Sequence, residues 1–415
     1  MKSIKKTGKI VSFRALLIIV ILGSLAVLSS CRKDGETVVD REILVGANQI
    51  GTYTAQELQS LLRISGFDFP SWIIKYNVDV YIVTYLTNYK GSEVTASGVV
   101  VIPKTADALG MISFHHGTIV AQRDAPSAQH FSSNQIIISS ILASAGFIFV
   151  IPDYLGFGNT SSILHPFYVE EYAASTVIDN LSAVRELTSL INVRFNRNLF
   201  LAGYSQGGYV TMAVQKYIDL NGLAGFNLIA SFPASGWYDV KEMQKYIFGQ
   251  QVYNDPYYIA YLCLAYKTTF GWTQPLNEIF NEPYANRIPG LFNGTLSGTQ
   301  INVQLTDTIP ALVKGELLAN IDNDPKYKFI TDSRLQNSLT DWVPKTPLYM
   351  YHGDADITVP YQNSEAVFQK LMSNGASPDI MHFISLPGID HSSGVLPFLQ
   401  DAIQRIRILD MNANH

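Results

Sequence analysis

Asn198-Leu-Phe-Leu-Ala-Gly-Tyr-Ser-Gln-Gly-Gly-Tyr209 carries the decisive change of pattern in this chain. Leu199 to Ala202 is a short apolar run that reads as a buried strand. Gly203-Tyr-Ser-Gln-Gly207 and Gly208 follow, and a helical pattern runs from Tyr209 to Leu220. Small residues on both sides of Ser205 let strand and helix approach through a sharp turn, which lifts the hydroxyl out at the strand end. A serine hydroxyl is a weak nucleophile by itself, so this reading needs a base and an acid further along the chain. Without them the stretch is a glycine-rich turn with no chemistry.

Strands and helices alternate on both sides of this stretch. Thr54-Ala-Gln-Glu57 predicts a capping box that opens a helix to about Ile64. Val78 to Thr87 and Val94 to Ile102, joined at Lys90-Gly91-Ser92, predict a hairpin. A buried strand follows at Met111 to His115, a helix at Ser133 to Ala145, a strand at Phe147 to Ile151 and a long helix at Val169 to Leu190. Beyond the serine, Phe226 to Ser231 is again a strand. The rhythm lapses between Trp237 and Leu339, where Tyr257, Tyr258, Tyr261, Tyr266, Phe270 and Trp272 crowd together. These aromatics serve either as the core of an inserted, mainly helical cap or as a roof over a pocket. Strands resume at Leu348 to Tyr351 and Met381 to Leu386, with helices near Glu365 to Met372 and Val395 to Leu409. The fold class is α/β: a mostly parallel, doubly wound sheet with an antiparallel start and a helical insertion.

The two later strands end in chemistry. One runs into His352-Gly-Asp-Ala-Asp-Ile-Thr-Val-Pro360, the other into Leu386-Pro-Gly-Ile-Asp-His391. With Ser205, these motifs resemble the α/β-hydrolase family, from about Tyr76 to the end, cap apart. The family order is nucleophile, acid, histidine. The resemblance implies Ser205 as nucleophile, His391 as general base and Asp356 as the acid that orients it. Asp354 is the rival acid, and His352 and His382 are rival bases that read better as structural histidines. The oxyanion donors implied are the N–H of Gln206, next to the nucleophile, and of Thr118, in the loop after the Met111–His115 strand. Pro152-Asp-Tyr-Leu-Gly-Phe-Gly158, taken with the serine motif, is similar to the secretory lipase branch; Asp153 reads as a loop brace. The implied activity is a lipase or esterase that cleaves a small-molecule or lipid ester. A peptidase or amidase on the same body, or a binding protein that has lost activity, are the alternatives.

The N-terminus has Lys2, Lys5, Lys6, Lys9 and Arg14 before an apolar run from Ala15 to Leu28, which reads as an export signal. Leu28-Ser-Ser-Cys31 resembles the lipobox of bacterial lipoproteins, implying lipidation at Cys31 and a membrane partner through that anchor, at the outer membrane or cell surface. The expected divisions are 1–30 signal, 31–50 tether, 51–236 first part of the body, 237–339 cap and 340–415 second part. A formal charge of −5 gives no electrostatic footprint for nucleic acid. With only Cys31 and Cys263, no disulfide framework is expected. Adjacent histidines on a strand point apart, so His115 and His116 predict no metal site, and no cofactor is expected.

Overall fold

In a computed structural model that describes residues 42–65 and 69–413, the strand signals converge on one sheet. The strands are β1 (Leu44–Tyr53), β2 (Val78–Tyr89), β3 (Ser92–Pro103), β4 (Leu109–His115), β5 (Phe147–Pro152), β6 (Phe195–Tyr204), β7 (Asn227–Ala234), β8 (Leu348–Gly353) and β9 (Met381–Leu386). Their order is β1-β2-β3-β5-β4-β6-β7-β8-β9. The first three pairings are antiparallel, and every pairing from β5 onward is parallel. Phe147-Ile-Phe-Val-Ile-Pro152 is buried at every position, because helices cover both faces of a parallel sheet.

One face carries α1 (Ala55–Ser65), α2 (Asn134–Ser144) and α13 (Val395–Ala413), with Ile141, Phe398 and Ile403 in its core. The other carries α3 (Glu170–Leu190) and α4 (Gln206–Asn221), which bury Val177, Leu181, Val210 and Val214 against the sheet. The capping box forms at the start of α1: Thr54 N–H donates to Glu57 Oε2 at 2.7 Å and Glu57 N–H to Thr54 Oγ1 at 3.1 Å.

Between β7 and β8 the chain makes helices and loops, with isolated antiparallel bridges at Val252–Thr308 and Phe280–Val313: α5 (Val240–Phe248), α6 (Tyr257–Phe270), α7 (Tyr284–Leu291), α8 (Gly298–Asn302), α9 (Ile309–Leu312), α10 (Gly315–Asn320) and α11 (Lys328–Gln336). The helix α12 (Tyr361–Ser373) then links β8 to β9.

The start of the sheet differs from the sequence reading. Residues 44–50, assigned to the tether, are part of β1, which pairs with β2. The stretch holds Gly46 and alternates weakly, so its strand character comes from outside it. Both oxygens of Glu186 on α3 accept N–H bonds at Ile43 and Leu44, at 2.8 to 3.1 Å. The proposed signal, Cys31 and the rest of the tether to residue 41 lie outside the described residues. No helix among the described residues is long and apolar enough to cross a membrane.

Candidate active site

Ser205 joins β6 to α4 with φ 61° and ψ −122°. Such a left-handed non-glycine conformation costs on the order of 1–3 kcal/mol and persists only where neighbours fix it. Here the Ser205 N–H donates to the Ala234 carbonyl at 2.8 Å, and Gly208 N–H donates to the Ser205 carbonyl at 2.9 Å. The flanking glycines are required by approach distance. A Cβ at Gly203 would run into the Gly207 carbonyl, and one at Gly207 into the His115 carbonyl. The turn is thereby pressed against the end of β4.

The residues read from the two later strands come together at this turn. His391 Nε2 lies 2.9 Å from Ser205 Oγ, and His391 Nδ1 lies 2.6 Å from Asp356 Oδ2. The carboxylate can only accept when ionised, so the network assigns the proton to Nδ1 and leaves Nε2 to accept from the serine. Asp356 Oδ1 accepts the N–H groups of Thr358 at 3.0 Å and Val359 at 2.9 Å. Burial works to raise the Asp356 carboxyl, but hydrogen bonds from His352, His391 and Val359 outweigh it and hold the group below its usual value. The His391 carbonyl accepts from the Tyr204 hydroxyl at 2.8 Å. Beside it Asp390 gathers the Ser392 and Ser393 N–H groups, and its carboxyl is lowered to about 2, first by the Ser393 N–H.

Asp354 and the rival histidines have partners other than Ser205. Asp354 is exposed and accepts the Gly388 N–H at 2.6 Å. His352 is fully buried; its Nε2 faces the Val359 carbonyl at 2.9 Å and Asp356 Oδ2 at 3.2 Å, and its Nδ1 the Ser364 hydroxyl at 2.6 Å. A carbonyl can only accept, so Nε2 carries the proton and shares it with the acid. His382 stacks on Tyr349 at 4.3 Å, on β9.

The loop after β4 runs beside the serine: a Cβ on Gly117 would sit 3.7 Å from Ser205 Cβ. Thr118 follows, and the Tyr258 hydroxyl has its ionisation pushed up to about 12, chiefly by burial. Gln206 is the first residue of α4, where a backbone N–H has no acceptor within the helix. Its side-chain amide lies 2.6 Å from His165 Nε2, while His165 Nδ1 donates to the Leu155 carbonyl at 2.6 Å. This brace has no short-range sequence signal, since His165 is 41 residues from Gln206. Asp153 is fully buried and accepts from Ser127 N–H at 2.8 Å and Ser97 Oγ at 2.6 Å, tying the loop after β5 to β3. Tyr154 packs over His116 at 4.1 Å and donates to its carbonyl.

The insertion covers this end of the sheet with neutral aromatics. Trp237 stacks on Tyr168 at 5.0 Å and meets Tyr258 edge-on at 5.6 Å. Tyr261 stacks on Phe167 and Phe292, each at 4.6 Å, and lines a cavity of about 420 Å³ that His165 also borders. Trp272 instead donates to Ser333 Oγ inside the helical layer.

His115 Nδ1 faces Thr211 Oγ1 at 2.7 Å, and the threonine proton goes on to the Gly207 carbonyl at 2.7 Å. Burial first, for both His115 and His165, depresses the imidazole from 6.5 to about 3. The unfolded chain takes up protons below about 6.5 and the folded one does not, so their stabilisation is complete above 6.5 and is lost as pH falls towards about 3. Melting temperature should therefore fall more steeply with acid in the wild type than in His165→Gln. Parallel slopes in thermal melts between pH 6.5 and 4 would contradict this.

Residues 130–221, which include the serine turn, match the prolyl oligopeptidase family. No curated protein sequence matches the chain. Among solved structures, a protein from Legionella pneumophila aligns with a TM-score of 0.79 at 24% identity, over 89% of this chain and 98% of that one. The rice cell wall degrading esterase LipA from Xanthomonas oryzae aligns at 0.74 and 24%, over 88% of this chain and 97% of its own. Candida antarctica lipase A in its closed state aligns at 0.59 and 15%, over 85% and 79%. The strand order, the turn at Ser205 and these likenesses give the chain the α/β-hydrolase fold.

Proposed function

We propose that the protein is a serine hydrolase of carboxylic esters. The observation that carries this reading is the hydrogen-bonded line from Ser205 Oγ through His391 to Asp356. In this mechanism Ser205 Oγ attacks the acyl carbon while His391 Nε2 takes its proton. The oxyanion that forms is held by the backbone N–H groups of Gln206 and Thr118. Collapse expels the alcohol, which leaves with the proton from His391, and the acyl group stays on Ser205. Water, deprotonated by the same nitrogen, then releases the acid and restores the serine. Asp356 stays ionised and stabilises the imidazolium. The neutral aromatic cover and the likeness to an esterase and a lipase favour esters with uncharged groups.

A second reading, a peptidase or amidase, is favoured by the prolyl oligopeptidase match over residues 130–221. The acyl-transfer steps are shared, so substrates must separate the two. Rates on p-nitrophenyl acyl esters should exceed those on aminoacyl p-nitroanilides by orders of magnitude. The reverse order would establish the peptidase reading, and inertness to both would point to a binding protein.

We further propose export and lipidation at Cys31, supported by the Leu28-Ser-Ser-Cys31 motif and the basic, then apolar, residues before it. More than one acyl chain is needed for firm anchoring. The wild type is expected in the membrane fraction with acyl chains on Cys31 by mass spectrometry, and Cys31→Ser without them. A mature N-terminus well beyond residue 31 would refute this.

A further inference from the structure

The loop that carries Asp356 is held from the far side by the helical insertion. Tyr246, on α5, donates its hydroxyl to the Ile357 carbonyl at 3.1 Å. Tyr253, just before α6, donates to the Thr358 carbonyl at 2.9 Å. Each of those carbonyls shares a peptide plane with an N–H that serves the acid. The Ile357 carbonyl is paired with Thr358 N–H, and the Thr358 carbonyl with Val359 N–H, and both N–H groups donate to Asp356 Oδ1.

Two parallel hydrogen-bond chains result, each running from a tyrosine hydroxyl across one peptide to the same carboxylate oxygen. A peptide group is planar and stiff, so fixing its oxygen fixes the direction of its N–H. Accepting a hydrogen bond at the oxygen also polarises the group and strengthens its N–H as a donor. Both phenols remain donors: burial first, and for Tyr246 the Asp356 charge second, raise their ionisation above the ordinary value. Tyr253 is itself anchored, 4% exposed and with its N–H on the Asp307 carbonyl at 2.8 Å.

We propose that Tyr246 and Tyr253 are positioning residues for the acid, through which the helical insertion sets the Asp356–His391 hydrogen bond. The proposal rests on reading Ser205, His391 and Asp356 as the catalytic triad. It makes the insertion part of the proton-handling apparatus as well as a cover.

The test uses Tyr246→Phe, Tyr253→Phe and the double variant of the full chain, which keep the rings and remove only the hydroxyls. The low-field proton of His391 Nδ1–H, identified by its absence from His391→Ala, is read by NMR on the substrate-free protein. It should move upfield in each variant and furthest in the double. On a p-nitrophenyl ester, each single change should lower kcat about three- to tenfold, the worth of one neutral hydrogen bond, with KM little altered. In an Asp356→Asn background the same changes should have no further effect. An unshifted proton with unchanged kcat would overturn the proposal, as would equal losses in that background, which plain packing would give. Should the buried Tyr253→Phe fail to fold, Tyr246→Phe, at a half-buried ring, decides the point. The resonance needs no turnover, so a wild type inert to esters would sink the hydrolase reading while leaving this test standing.

Discussion

Ser205→Ala should stay folded and lose ester hydrolysis by at least about 10³-fold, leaving what the backbone donors and binding alone supply. The loss follows from geometry, because the hydroxyl is the group that faces His391 Nε2 at 2.9 Å. The stability change should stay within about 1 kcal/mol, the worth of one hydrogen bond, since the turn is set by backbone bonds and the close approach of Gly203 and Gly207. Far-ultraviolet circular dichroism and melting curves establish folding, and turnover of p-nitrophenyl esters gives the rate. A folded variant with wild-type activity would remove Ser205 from the mechanism.

Asp356→Asn should lower kcat by about 10⁴, and Asp354→Asn by less than about twofold, although Ala355 alone separates the two residues in sequence; the larger figure is that of the equivalent protease change. The Thr358 and Val359 N–H groups require an acceptor at the Oδ1 position. An asparagine oxygen must therefore sit there, and its NH₂ takes the Oδ2 position facing His391. That NH₂ can only donate, so the imidazole must accept at Nδ1 and carry its proton on Nε2, where it cannot receive one from Ser205. It also opposes the Nε2–H of His352, which shares the same oxygen. Asp354 uses one oxygen to accept the Gly388 N–H, which an asparagine oxygen does equally well. Steady-state kinetics of the two variants check this, and equal losses would contradict the assignment of roles.

What could be read from the sequence follows the distance over which each feature is encoded. Ser205, Asp356 and His391 each sit just past an apolar run, so strand, turn and polar side chain are written within a dozen residues of one another. The same holds for the capping box at Thr54 and the hairpin around Gly91. Features completed by remote partners left no such trace. The edge strand at Leu44 depends on Glu186, 142 residues away. The brace on Gln206 depends on His165, and the clamp on the acid loop on Tyr246 and Tyr253, more than 100 residues upstream. The aromatic cluster in the insertion was visible as composition alone. Its division into cover (Tyr258), cavity wall (Tyr261) and internal packing (Trp272) follows from how short helices fold on one another, which periodicity does not encode.

Covalent trapping identifies the nucleophile itself. The full chain is treated with a fluorophosphonate, and the modified peptide is identified by mass spectrometry. Attack by an activated serine displaces fluoride and leaves a stable phosphonyl ester on that oxygen alone. The expected result is a single label on Ser205, together with loss of ester hydrolysis in the same proportion, and no label on His391→Ala within the same time. Labelling of another serine with Ser205 unmodified, or equal labelling of Ser205 with and without His391, would contradict it.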